Sequence, residues 1–283
     1  MLKAIVLFVV VTSATSLHAE QVLKTEKLAE NVYALIGPLT NRDPQNLGNN
    51  ANFGVIVTGD GVVLVDSGAT DKGARMIHAA IKEITDKAVK WVINSGGQDH
   101  RWMGNGYFKA LGATIIASEK AVADQKARRE SQLDRLWSLV GKEGLEGTDY
   151  IYADEMFSQQ KILKVGNTRI EIHHAGHAHT PGDSYIWLPQ QKIIFSGDIV
   201  YTDRMLGVGS MSAHKSWIAA FEAMAAKQPE VVVGGHGNPA SLAKPKPILM
   251  IICCFYVKPY RRSLIKETAW KISGKLISPD SVT

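Results

Sequence analysis

The sequence predicts an α/β (α+β) fold in which two β-sheets pack face to face and helices cover both outer faces. Three observations carry this prediction. Two apolar runs, Asn52 to Thr58 and Val62 to Asp66, flank the turn Gly59-Asp60-Gly61. Helix-like and strand-like segments then alternate from Asp71 to Arg129, the pattern of an α/β domain. Short strand-like runs return from Lys161 to Phe195, followed by one more helix and one more strand. The chain has 283 residues, enough for one such domain with a sizeable core, which we place over residues 20–240.

Each element has its own warrant. Asn31 to Ile36 reads as a first strand, followed by a polar loop rich in Asn and Gly through Asn50. In the hairpin, the Asp60-Gly61 pair tolerates the positive φ that a tight turn needs. Asp66-Ser67-Gly68-Ala69 ends the second hairpin strand in a polar loop. From Asp71 to Thr85, Ala74, Ile77, Ile81 and Ile84 recur with a helical period, with Asp71 near the start. Val89 to Asn94 is the next strand. A helix near Gly104 to Leu111, a strand Ala113 to Ala117 and a helix Glu119 to Arg129 follow. Residues 131–157, with Gly141, Gly144 and Gly147, read as an irregular insertion or lid. Strands are expected at Lys161 to Lys164, Thr168 to His173, Ser184 to Leu188 and Lys192 to Phe195, with turns at Gly166-Asn167 and Pro189-Gln190-Gln191. A helix from His214 to Lys227 precedes Val231-Val232-Val233 and the loop Gly234 to Gly237.

The two ends differ from this body. Residues 1–19 carry a charged start, an apolar run from Ala4 to Val11 and a small-residue stretch to Ala19, the three regions of a cleavable secretory signal. The expected destination is periplasmic or secreted. That run is far short of the roughly 20 residues a membrane-spanning helix needs. Residues 241–283 hold eight Lys/Arg against Glu267 and Asp280, so a formal charge of +5 leaves −1 for the other 240 residues. The basic balance therefore lies in the tail, and the body has no basic stripe interleaved with aromatics, which argues against nucleic-acid binding. The two cysteines, Cys253 and Cys254, are adjacent within that tail and form neither a disulfide framework nor a zinc-finger spacing. Pro245, Pro247 and Pro259 interrupt any helix there, so 241–283 reads as an atypical basic tail or an altered gene end.

Metal chemistry is suggested by the stretch from Glu171 to Asp183, where His173, His174, His177 and His179 fall within seven residues. Taken alone, such a stretch describes a solvated polar loop more often than a metal centre. Three other segments change the balance: Asp99-His100, Asp198 and His236 also lie just beyond strand-like runs. Imidazole and carboxylate groups are zinc ligands, and loops on a rigid scaffold can bring them to one point.

These residues carry a resemblance. From about Leu28 to Ala240 the chain resembles the metallo-β-lactamase superfamily, through the hairpin Asn52 to Asp66 with Ser67-Gly68, through Asp99-His100 followed by Gly104-Asn105, and through Ala178-His179-Thr180-Pro181-Gly182-Asp183, Ser196-Gly197-Asp198 and Gly235-His236-Gly237. The resemblance implies a four-layer αββα sandwich of two mixed sheets with one or two zinc ions at one edge. It also implies that His179 belongs to a first metal site, that Asp99, His100 and His236 form a second, and that Asp198 bridges the two. The family's first motif begins with two histidines, four and two residues before the aspartate, and here those positions are Ser95 and Gly97. Glycine offers no ligand and serine is a poor one at neutral pH, so one zinc is expected rather than two.

Two functions follow. One is an exported hydrolase in which metal-bound water attacks an ester, thioester or lactam amide of a small molecule, with Asp99 among the reacting groups. The other is a protein that binds a ligand or a redox partner in the same cleft without hydrolysing it. Asp198, where many antibiotic-hydrolysing members have cysteine, points to the glyoxalase-II-like branch and its exported relatives associated with sulfur oxidation.

Overall fold

The computed structural model describes residues 22–242. The expected secretory signal at 1–19 and the tail from 243 onward, with Pro245, Cys253 and Cys254, lie outside the described residues.

Seven strands form the first sheet, in the order β1-β2-β3-β4-β5-β6-β7. They are β1 (Lys24–Ala29), β2 (Val32–Ile36), β3 (Phe53–Val57), β4 (Val62–Val65), β5 (Val89–Asn94), β6 (Thr114–Ser118) and β7 (Glu155–Phe157). The predicted hairpin pairs Val57 with Val62, and the Thr58 hydroxyl donates to Gly61 O at 2.6 Å across the turn. The pairing is parallel from β4 through β7, and β4 is buried along its whole length. That is why its sequence is an unbroken Val-Val-Leu-Val rather than an alternation.

Helix α1 (Asp71–Lys82) follows β4; the side chain of Thr70, one residue before Asp71, caps it by accepting from Gly73 N. Two short helices, α2 (Asp99–Trp102) and α3 (Asn105–Ala110), lead from β5 to β6, and α4 (Glu119–Leu145) starts from the cap Ser118.

The second sheet has the order β12-β11-β10-β9-β8, from β8 (Gln160–Val165), β9 (Thr168–His173), β10 (Tyr185–Leu188), β11 (Ile193–Phe195) and β12 (Val231–Val233). Its strands run antiparallel except β12, which is parallel to β11 because α5 (His214–Ala225) provides the crossover. The sheets meet in a core where Ile56, Val63, Val65 and Ile93 face Ile170, Ile172, Ile186 and Phe195. They meet closely. A Cβ built on Gly54 would lie 2.7 Å from the Phe195 ring, so β3 needs glycine there. The outer face of the first sheet packs on Ala74, Ile77 and Ile81 of α1 and Phe108 of α3; that of the second packs on Trp217, Phe221 and Met224 of α5. This is the expected four-layer αββα sandwich. No helix among the described residues is long and apolar enough to cross a membrane.

The expected lid is a correction. Residues 131–145 continue α4, broken only at Gly141 with φ 76°, and residues 155–157 add the edge strand β7. Leu136 and Val140 pack with Trp102, Met103 and Ala69, so this half of α4 covers the end of the sandwich. Its pattern misleads because the inward positions include Gln132 and Gly144, which break the apolar period. Edge strand β1, half exposed and mixed in polarity, was likewise not expected.

Leu136 is fully buried, so Leu136→Ala is expected to cost about 2–5 kcal/mol in urea unfolding. A loose lid at this position would give a loss near zero.

Candidate metal centre

The candidate residues sit beyond the carboxyl ends of β5, β9, β11 and β12, where both sheets open at one edge. Asn52 stitches that edge together. Its backbone N donates to Gly235 O at 2.9 Å, and its side chain donates to Gly234 O at 2.9 Å and Gly237 O at 2.6 Å. The loop after β12 is tied to the segment after β11 by Gly235 N to Val200 O at 2.8 Å and Thr202 N to His236 O at 2.9 Å.

Three of the five predicted ligands converge. One donor atom each from His100, Asp198 and His236 lies within 4.8 Å of the other two, and all three residues are buried. His100 Nε2 is 3.4 Å from Asp198 Oδ2, and His236 Nε2 is 3.5 Å from Asp198 Oδ1. Two donors at about 2.0–2.1 Å from a tetrahedral zinc stand roughly 3.3 Å apart, so these separations are those of a ligand set. His236 Nδ1 donates to Asn50 O at 2.7 Å, which leaves the Nε2 lone pair facing Asp198. Burial lowers the His236 pKa to about 4 against the pull of Asp198, so the ring is neutral at pH 7. His100 Nε2 is buried without a hydrogen-bond partner among the described residues. Such an orphan is costly unless something binds it. Two imidazoles, one carboxylate and one unpartnered nitrogen fit a divalent metal.

Asp99 stands outside this trio. Its Oδ2 receives Arg42 Nη1 at 2.5 Å, and its Oδ1 accepts from His100 N at 2.7 Å and faces His100 Nδ1 at 3.0 Å. Burial opposes its ionisation, but Arg42 and His100 hold the carboxyl well below the usual range. Arg42 Nη2 also lies 2.5 Å from His100 Nδ1, and a guanidinium can only donate, so binding a metal through Nε2, with the Nδ1 proton turned to Asp99, requires Arg42 to draw back.

His179 lines the same cavity, of about 520 Å³, as His100 and His236, together with Arg42, Arg135 and Arg204. Its Nδ1 donates to Gly207 O at 2.6 Å, and its donor atoms are not among the converging three. The other histidines of the stretch serve the scaffold. His177 Nε2 meets Met211 O at 2.5 Å, His174 Nδ1 meets Asp183 O at 2.8 Å, and His173 stacks on Tyr185 at 4.9 Å between ring centroids.

The two positions without histidine are filled by other bonds. Ser95 donates from N and Oγ to Asp66 at 2.7 and 2.8 Å. A Cβ on Gly97 would lie 2.0 Å from Asp124 Oδ2, and Arg128 holds that carboxylate in place at 2.7 Å from Nε. Two residues of the centre went unforeseen. Arg101, 1% exposed, bridges Asp66 and Asp198, and Arg42 reaches in from the loop between β2 and β3. Neither has a spacing that distinguishes it from a surface arginine.

Asp183 is the other charged group of interest. Burial, then the nearby Asp198 and Asp124, raise its pKa to about 8 despite bonds from Thr180 N and Oγ1 at 2.7 and 2.5 Å. It is thus protonated in the folded state at neutral pH and ionised in the unfolded state, where its pKa is 3.8. The folded chain binds the extra proton, so this group's contribution is full below the unfolded pKa and is lost as pH rises through about 8. In chelated protein the Tm should fall from pH 5 to 8, and Asp183→Asn should flatten that fall. An equally steep profile in the variant would show that Asp183 is already ionised. Separately, Gly97→His is expected to lower the Tm by about 2–12 °C without adding a metal equivalent, since displacing Asp124 costs on the order of 1–3 kcal/mol. A stable variant with a second equivalent would mean the Gly97 loop moves freely.

The sequence profile described as "Metallo-beta-lactamase superfamily" matches residues 47–236. The metallo-beta-lactamase type 2 of Elizabethkingia meningoseptica is 26% identical over 220 residues, covering 76% of this chain and 79% of that protein. The metallo-beta-lactamase type 2 of Bacillus sp. (strain 170) is 25% identical over 190 residues, 65% of each chain. Among solved structures, a metallo-beta-lactamase from Pontibacter korlensis superposes with a TM-score of 0.63 at 21% identity, covering 82% of this chain and 97% of that one. That likeness bears on the fold alone.

Proposed function

Since the chain belongs to the metallo-beta-lactamase superfamily, we propose that it is an exported metal-dependent hydrolase whose centre holds a single zinc ion on His100, Asp198 and His236. The observation that carries this reading is the buried trio at ligand spacing, with His100 Nε2 left unpartnered. When bound, zinc supplies a water of lowered pKa and polarises a carbonyl. The protein's own groups prepare for both. Asn50 O fixes the tautomer of His236, and the Tyr201 ring, 4.5 Å from that of His236, fixes its plane. Asp198 stays ionised, because Arg101 and then His100 offset the effect of burial. Asp99 acts here by holding His100 in place, its Oδ1 accepting from the His100 backbone N.

The substrate is a small molecule with an ester, thioester or lactam amide. Arg135 and Arg204 line the cavity, and its lining contains no acidic residue, which favours a substrate with an anionic group beside the scissile bond. Export rests on the signal at 1–19 and places the protein in the periplasm or outside the cell.

One observation favours the second reading, a cleft that binds without hydrolysing: Asp99, a ligand by resemblance, is held by Arg42. Metal analysis and hydrolysis assays separate the two. The purified protein should carry close to one zinc per chain and cleave a generic ester, thioester or lactam. His236→Ala should lose at least nine tenths of both. Protein that stays metal-free after dialysis against zinc would overturn the hydrolase reading and leave the binding cleft.

A further inference from the structure

The carboxylate of Asp198 is shared between two sets of partners. Its Oδ1 lies 2.7 Å from Arg101 Nη2 and 3.5 Å from His236 Nε2, and its Oδ2 lies 3.2 Å from Arg101 Nε and 3.4 Å from His100 Nε2. Arg101 also donates to Asp66 Oδ2 at 2.9 Å, Asn52 O at 3.1 Å and Gly235 O at 3.2 Å. A guanidinium has five N–H donors, and these contacts use all of them. Asp66 is completed by Ser95, whose N and Oγ both donate to it. Ser95, Asp66, Arg101 and Asp198 thus form a closed buried chain with two carboxylates and one cation.

We infer that Arg101 is a resident cation that takes the place of a second metal ion and limits the centre to one. This rests on the metal-centre reading above. Two arguments carry it. The first is charge. With neutral imidazoles, Asp66 and Asp198 total −2 and Arg101 brings them to −1, so one divalent ion leaves +1 in a buried site. A second ion would leave +3; of the other carboxyl groups nearby, Asp99 is paired with Arg42 and Asp183 accepts from Thr180 N and Oγ1. The second is the donor set. The groups around the guanidinium are all oxygens: Asp66 Oδ2, both oxygens of Asp198, Asn52 O and Gly235 O. Carboxylates and backbone carbonyls without nitrogen or sulfur suit a hard divalent ion. Arg101 therefore fills a cage that would otherwise hold a cation of that class, and its fork fixes Asp198 so that the carboxylate presents itself to His100 and His236.

Manganese(II) is the probe, because free and bound ions differ in their electron paramagnetic resonance. On zinc-loaded protein, wild type and Arg101→Lys should bind no manganese below 100 µM, and Arg101→Ala should bind about one equivalent. A merely structural arginine would give an alanine variant with weakened zinc binding and no manganese site. That result overturns the inference while leaving the hydrolase reading intact. Wild type without zinc would instead sink the hydrolase reading, and the manganese comparison would still report on the cage. If Arg101→Ala is insoluble as expressed, it is refolded from denaturant with and without 1 mM manganese. A yield at least threefold higher with the ion supports the assignment, and equal yields overturn it.

Discussion

Asp198 is the constraint that the edge of the sandwich answers to. A buried carboxylate is several kcal/mol costlier than a solvated one unless opposite charge and hydrogen bonds surround it. The three groups that meet it, Arg101, His100 and His236, come from two segments far apart in sequence, one after β5 and one after β12. Neither sheet supplies all three. The centre therefore exists only when the two sheets are in register across their common core, and Asn52, bonded to Gly234, Gly235 and Gly237, ties the first sheet to the loop that carries His236. Stability of the fold and assembly of the site are one event at this edge.

Charge is arranged in pairs around that point. Arg101 serves Asp66 and Asp198, Arg42 serves Asp99, and Arg128 serves Asp124. Asp183 forms no ion pair among the described residues, and burial, the largest cause, keeps it protonated instead. Each carboxylate is thus neutralised by a partner or by a proton, and what remains for an incoming metal is the two imidazoles of His100 and His236 and the shared Asp198. The basic side chains that are left over, Arg135 and Arg204, face the cavity.

Much of this was legible in the sequence. Strands β9 and β12 ran as expected because their apolar runs end at polar turns, and the hairpin was marked by its Asp-Gly pair. The convergence of His100, Asp198 and His236 was foreseeable from chemistry placed after strand ends. Arg101 and Arg42 were not, because an arginine's burial depends on partners such as Asp66 and Asp99 that only the tertiary structure supplies. The second half of α4 was hidden for the same kind of reason: Gln132 turns inward to hydrogen-bond Gly97 O, and a buried polar side chain is invisible to hydrophobic periodicity. His177, in the same histidine-rich run but not among the expected ligands, gives its ring to Met211 O.

The fit between Gly97 and Asp124 has a historical consequence. A histidine at 97 meets Asp124, and Asp124 is fixed by Arg128, itself within 3.3 Å of Gln98 Oε1. Serine at 95 is likewise bound into the chain that holds Arg101. To regain a two-histidine motif, a descendant would need to clear Asp124, release Arg128 and replace Arg101 before any added imidazole met a metal. Each step taken singly unpairs a buried charge. The packing that accommodates glycine at 97 and serine at 95 therefore opposes a two-histidine motif in this chain by more than the two side chains it lacks.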